Sequence, residues 1–376
     1  MKDKTPFNAL RLKFSYGQTG SVQNSSTGAN TVYEYLTGNR YMNWNGTVLQ
    51  GLGNSNLTWQ KTDQFNAGFE FGVWENRIKG SFDIYTKKTS NLLSYMNLPL
   101  SMGFSSYLAN VGEVKNNGWE ASASAYLIRD RQRDINLILS GQLTYNKNEI
   151  TKLSEAIKAQ NEEYMKQGAD VNNLFFEGYP QNSIYAVQSL GIDPSTGEEV
   201  FLDKNGNKVN EWNAADKVFQ GSSDPKYRGN LSSALIWKNF TFNMSWGFYW
   251  GGKRYNSTLL DRVEVTLADL KNSNVDERVL SQRWYKPGDL TFFKKLSALD
   301  TRASSRYVMD DNVFELQSIS LQYRWDTPGL KKAIGANSII FGVNMSDIFH
   351  FSTIKMERGT SYPFARSIQG SVKLSF

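Results

Sequence analysis

The chain has no cysteine and one histidine, His350, in 376 residues. Without thiols there are no disulfides, no thiolate zinc site and no cysteine nucleophile, and a lone imidazole leaves no histidine cluster for a metal or a serine triad. No cofactor or metal is expected. Long hydrophobic runs are missing too: 40% of residues are hydrophobic, mean hydropathy is -0.50, and no stretch approaches the roughly 18 to 20 apolar residues a membrane helix needs. A helix therefore cannot carry this chain across a bilayer, although a sheet could. Nor does one sign of charge dominate. The 42 Lys and Arg against 36 Asp and Glu leave +6 spread along the chain, not the clustered basic stripe of a nucleic-acid footprint.

What the sequence has in abundance is aromatic residues and alternation. Aromatics make up 14% of the chain. Ile135, Leu137, Leu139, Gly141, Leu143 and Tyr145 take one face of a strand, with uncharged polar residues between them. Phe65, Ala67, Phe69, Phe71 and Val73 repeat the pattern, as do Phe240, Phe242, Met244, Trp246, Phe248 and Trp250. Read this way the chain yields about twelve strands, near 10–17, 62–74, 77–88, 116–128, 134–147, 171–178, 183–192, 228–237, 240–250, 312–325, 338–347 and 366–376. Their connections alternate long and short, from 18–61 and 75–76 onward. In an up-and-down meander this places every long loop at one rim and every short turn at the other, the build of an outer-membrane barrel. Helical patterns occur near 150–166 and around Val275, Val279 and Leu280, and Asn205-Gly206 marks a hairpin inside a loop.

Alternation alone does not separate a sheet in lipid from a half-buried soluble sheet. Three features favour lipid. The polar faces carry Ser, Thr, Asn, Gln and Gly, aromatics such as Trp119, Tyr145, Trp237 and Trp250 sit near strand ends, and the apolar stripes quoted above contain no Lys or Arg. The expected fold is all-β, an antiparallel up-and-down transmembrane β-barrel.

The segment Asn110-Val111-Gly112-Glu113-Val114-Lys115-Asn116-Asn117-Gly118-Trp119-Glu120 resembles the hallmark of the SusC/RagA family of TonB-dependent outer-membrane transporters. Further similar segments follow in the family's order: Leu57-Thr58-Trp59, Glu177-Gly178-Tyr179-Pro180, Asp193-Pro194, Trp284-Tyr285-Lys286-Pro287-Gly288-Asp289 and Ser304-Ser305-Arg306-Tyr307. Glu315-Leu316-Gln317 departs from the pattern, where the family tends to be basic. The resemblance implies that residues 1–376 are the last twelve strands of a barrel of about twenty-two, with the plug and N-terminal strands absent and no export signal read at Met1-Lys2-Asp3-Lys4. It also implies a bacterial outer-membrane importer of oligosaccharides or peptides. Implied partners are a SusD-like surface lipoprotein, the TonB complex, the barrel-assembly machinery, outer-membrane lipid and the glycan or peptide substrate, with no nucleic acid. Phe376, in line with Leu374 and Val372, is similar to the C-terminal aromatic assembly signal.

Ligand contacts are expected on the long-loop rim, where Tyr41, Trp44, Trp212 and Tyr255 offer flat faces with polar tips. The alternative is a soluble all-β carbohydrate-binding module or glycoside hydrolase. Glu198 and Glu199, as strand neighbours, point to opposite faces and cannot flank one bond, so no catalytic residue is assigned and no enzyme is expected. Asp203, Asn205 and Asn207 begin like a calcium loop, but Lys208 replaces the required glycine and the closing glutamate is missing.

Overall fold

The computed structural model describes residues 7–21, 28–42, 44–98, 100–167, 174–354 and 366–376. Its strands, in chain order, are β1 (Phe7–Ser21), β2 (Val32–Tyr41), β3 (Trp44–Gly51), β4 (Gln60–Val73), β5 (Ile78–Asn97), β6 (Ser106–Asp130), β7 (Ile135–Leu153) and β8 (Ser183–Ile192). After them come β9 (Glu199–Leu202), β10 (Lys208–Val209), β11 (Lys217–Ser222), β12 (Tyr227–Trp237), β13 (Phe240–Tyr255), β14 (Val308–Trp325), β15 (Ser338–Ser352) and β16 (Ser367–Ser375). The longest described helix, α1 (Glu155–Gln167), follows β7, and a shorter one, Pro328–Ile334, lies between β14 and β15.

Ten strands form one antiparallel sheet in the order β1-β4-β5-β6-β7-β12-β13-β14-β15-β16. Where the sequence alternates, the register keeps like with like. Leu10, Leu12 and Phe14 face Phe71, Phe69 and Ala67 across β1 and β4. The apolar row continues through Phe82, Ala121, Leu143, Phe248 and Phe314 to Phe351. No layer of protein among the described residues covers this face: Leu12 is 67% exposed, Phe14 73% and Ile368 69%. A soluble sheet would need a second apolar layer there.

Aromatic rows bound the face. Phe82, Trp119, Tyr145 and Tyr227 run across adjacent strands with ring centroids 6.0, 6.1 and 5.2 Å apart, and Trp237, Phe240 and Tyr323 do so near the other rim, at 6.3 and 4.7 Å. Tyr227 and Trp237 stand at opposite ends of β12. Their ten-residue separation, at about 3.3 Å per residue and a tilt of about 40°, spans about 25 Å along the membrane normal, the height of an outer-membrane apolar band.

The opposite face is polar and hydrogen-bonded strand to strand. The Ser81 and Ser122 hydroxyls meet at 2.8 Å, as do those of Ser124 and Ser140. At the β1 side this face is ionic, with Lys13 within 3.1 Å of both Glu70 and Asp83. A cleft of about 740 Å³ lies along it, lined by Arg11, Glu70, Ser122, Gln142, Asn230 and Ser232 among others.

The turns follow local chemistry. Lys238, at φ 52°, and Asn239 join β12 to β13 in two residues, and Asn76 takes φ 61° between β4 and β5. Asp130 Oδ1 accepts the backbone N–H groups of Gln132 and Arg133 to close the β6–β7 turn.

Among the described residues the sheet has ten strands where about twelve were expected. Of the expected strand 171–178, residues 171–173 lie outside the described ones and 174–178 form no strand. The segment 183–192 is a strand, β8, but it belongs to a separate four-stranded sheet, β10-β9-β8-β11. Ser183 through Val187 are all buried, so β8 has no face to give to lipid. Its nearly continuous apolar run, Ile184-Tyr185-Ala186-Val187, is the pattern of a strand covered on both sides.

Candidate functional site

The connections 22–59, 98–105, 154–226, 256–307 and 353–366 all leave one rim of the sheet. Two of them fold into a body of their own. The first carries α1 and the four-stranded sheet, and the second carries short helical turns, among them Leu267–Asn272 and Arg278–Ser281. Thr266 caps the former of these turns: its hydroxyl accepts Asp269 N–H while Asp269 accepts the Thr266 N–H. Leu259, Val263, Val279, Phe293 and Tyr307 make the apolar core of this second loop.

Arg306 holds the two loops together. Its Nη2 donates to Glu199 Oε2 at 2.8 Å and its Nη1 to Glu264 Oε1 at 2.6 Å, with all three side chains buried. Ser304 Oγ donates to the other oxygen of Glu199 at 2.6 Å, and Lys294 N–H and Thr301 Oγ1 donate to Glu264. Burial works against the Arg306 charge, and the hydrogen bond and charge of Glu199 outweigh it, so the guanidinium stays charged well beyond its ordinary range. Arg283 is less well provided. Its Nη2 donates to Val263 O, while Nε and Nη1 are buried with no partner among the described residues, and burial pulls its pKa down. Burial also pushes the neighbouring Tyr307 phenol up and raises Tyr185, on β8, to about 12.

The sequence segments that mark the resemblance are the contacts that assemble this rim. Asn110 donates from Nδ2 to the carbonyls of Thr58 and Asn91 and accepts the Thr58 N–H, pinning the chain before β4 to the β5–β6 hairpin. Gly118 lies under the Tyr85 ring: a Cβ there would come within 2.2 Å of Tyr145 O and 2.6 Å of Tyr85 Oη. Glu177 accepts Leu153 N–H, and Gly178 and Tyr179 bond the backbone of Ile150. Trp284 Nε1 donates to Pro194 O at 2.9 Å, and its ring covers Gly197, whose φ of +72° and missing side chain make the close approach feasible. Asp289 accepts the backbone N–H groups of Tyr285 and Lys286, and the Lys286 and Tyr285 bonds hold its pKa below the usual carboxylate range.

The four aromatics expected to meet ligand separate into different environments. Trp44 is displayed at the tip of the β2–β3 hairpin, 79% exposed. Tyr41 pairs with it in the ladder, and its side chain lies outside the described ones. Trp212 donates from Nε1 to Ala303 O at 2.8 Å under the Arg302 guanidinium, and Tyr255, edge-on to Tyr307 at 6.0 Å, packs against Ile184 and Ala186 of β8, so both join the two loops. Phe376 follows β16 and is 78% exposed.

Glu198 pairs with Lys295 on the surface while Glu199 turns inward, so the two carboxylates do not meet. Asp203 accepts the N–H groups of Asn205 and Asn207 and the Asn207 side-chain amide, making a turn of the supposed calcium loop. Glu315 faces the polar side of the wall, held by Gln317 at 2.9 Å and 3.4 Å from His350 Nδ1. Sequence reasoning missed the Arg306 cluster as a unit. Its partner Glu199 lies 107 residues earlier, and no local spacing connects them.

The family model described as TonB dependent receptor-like, beta-barrel, matches residues 4–289. TonB-dependent receptor P3 of Formosa agariphila is 28% identical over 345 residues, covering 86% of this chain and 33% of that protein. TonB-dependent receptor SusC of Bacteroides thetaiotaomicron is 29% identical over 289 residues, covering 73% of this chain and 28% of its own length. The structure of the RagAB peptide transporter superposes with a TM-score of 0.81 at 23% identity, over 100% of this chain and 42% of that one, a likeness of fold. This chain therefore spans about a third of the length of the curated relatives it matches.

Proposed function

The chain belongs to the TonB-dependent receptor-like β-barrel family, and from that membership we propose that it forms wall and outer loops of an importer that draws oligosaccharides or peptides across the outer membrane. Members of the family are outer-membrane transporters and receptors, not enzymes. The observation that carries the proposal is the single uncovered apolar face, continuous over ten strands and bounded by two aromatic rows, with the connections that build the folded loop body all on one rim. Hydrocarbon is the solvent that face suits. A water-soluble binding module would need a covering layer.

In this reading residues 1–376 are the C-terminal part of a larger barrel. Among the described residues β1 pairs only with β4 and β16 only with β15, and unpaired edges in lipid require further strands. Uptake would draw on a TonB complex acting through a plug, and a SusD-like lipoprotein would close over the loop rim. The exposed Phe376, beyond the outward Val372 and Leu374, supports a role as the assembly signal read by the barrel-assembly machinery. Trp44 is the best displayed of the expected ligand contacts.

Cells making the complete importer to which residues 1–376 belong should accumulate a fluorescent oligosaccharide or peptide, and lose that uptake when the proton-motive force is collapsed. The purified chain should migrate faster in cold than in boiled dodecyl sulfate gels. A chain that is monomeric and stable without detergent would overturn the proposal.

A further inference from the structure

Above the membrane band, where α1 folds against the ends of β5, β6 and β7, lies a partly open cavity of about 130 Å³. Its walls are aliphatic and aromatic: Leu92, Val111, Ile150, Ile157 and Phe175 all line it, and most belong to one buried cluster. Polar groups are the minority. Ser94, Lys152 and Gln181 reach the lining, and Glu113, also there, is already ion-paired with Lys88 at 2.8 Å.

The volume and the chemistry select the occupant. Whole small-molecule ligands fill pockets of roughly 300 Å³ and more, whereas a dry cavity of about 150 Å³ accepts one benzene ring. The space here suits one aliphatic or phenyl side chain. A sugar ring brings hydroxyls on every edge, and most would lose water with no partner in return, which is costly for each one buried. The lining's one aromatic ring, Phe175, is partly buried and packed against that cluster.

We propose that this cavity is a side-chain pocket for a peptide, so that the substrate class at this rim is peptide and not glycan. The inference rests on the importer reading above. It takes one apolar side chain of an extended peptide at the loop rim and leaves the peptide backbone to the polar groups around it. The position fits such a role: the cavity lies on the same rim as the folded loop body, and Ile157 of α1 forms part of its lining.

Isothermal titration of the full chain in detergent with the pentapeptides Gly-Ser-Leu-Ser-Gly and Gly-Ser-Ser-Ser-Gly, and with maltopentaose, tests this. The leucine peptide should bind about tenfold more tightly than the serine peptide. Leu92→Phe, which fills the cavity from its half-buried edge, should erase that preference. Leu93→Phe replaces it if the first variant fails to show the cold-gel mobility of a folded barrel. Equal affinity for the two peptides, no peptide binding, or binding of maltopentaose alone overturns the inference. Energy-dependent uptake in cells is scored separately, so the importer reading can survive that outcome or fail without it.

Discussion

Arg306 and Arg283 show how differently two buried guanidinium groups can be placed within one loop body. Arg306 lies between two carboxylates, so Arg306→Met would leave Glu199 and Glu264 buried without their shared partner. A loss of about 3 to 5 kcal/mol is expected. Arg283→Met removes a charge whose Nε and Nη1 have no partner among the described residues, and should cost far less. Thermal protection of the loops from a protease measures both, and equal losses would show that the cluster is not organised around Arg306. The pH limits of the same loops follow from their titrating groups. Asp193, Asp203 and Asp289 are held below the ordinary carboxylate range by hydrogen bonds, so the stability they add is present above about pH 4 and is lost as pH falls through their lowered values. Tyr185 is shifted the other way. Its contribution is complete below its ordinary value of 10.0 and disappears as pH rises toward about 12. Protease protection across that range should fall at both ends and stay flat between. The Arg306 pairings were not legible in the sequence, because they join residues that only the folded loops bring together. The aspartates bond close neighbours in the chain, and Glu198 and Glu199 were set on opposite sides by strand geometry alone.

At the level of strands, alternation is informative because lipid and lumen demand opposite chemistry at successive positions. It identified the outward rows on β4, β7 and β13 residue by residue. It failed at β8, where alternation gives way to a run of buried residues, and at 174–178, the described part of another expected strand, which does not pair as one. The rule also makes a sharp forecast on β13. Met244 stands mid-strand in the outward row between Ser233 and Ile319, and Met244→Arg should cost about 2 to 4 kcal/mol. Asn243→Arg, one residue away on the polar face, should cost much less. The folded fraction on cold gels compares the two, and similar losses would mean that the faces have been assigned the wrong way round.

For the molecule as a whole, the division into a loop rim and a turn rim was readable from connection lengths even though two strands were misplaced. The two errors cancelled: removing both merges their neighbouring connections into one long loop, 154–226, and leaves the order of long and short unchanged. The loop body itself was not readable beyond its Asn-Gly hairpin, a helix near 150–166 and the helical pattern at Val279 and Leu280, since its stability comes from contacts distant in sequence. The aromatic rows fix a depth for each tryptophan. With the chain in bilayers containing brominated lipid, bromine near the headgroups should quench Trp119 and Trp237 more strongly than bromine at the acyl-chain ends, in variants retaining one of them as the sole tryptophan. Stronger quenching from the bilayer centre would move the band.

The body strung between β7 and β12 also dictates a sequence of events in biogenesis. Once buttressed by Arg306 it is a globule far broader than the gap between neighbouring strands, so residues 154–226 must be delivered to the far side of the bilayer as slack chain and acquire their shape there. Hairpins closed by tight turns, such as β12–β13, carry no such cargo and are free to arrive prefabricated. Pulse-labelled cells sampled with an external protease should therefore show wall strands secured before the globule resists cleavage, and the reverse order would be incompatible with this geometry.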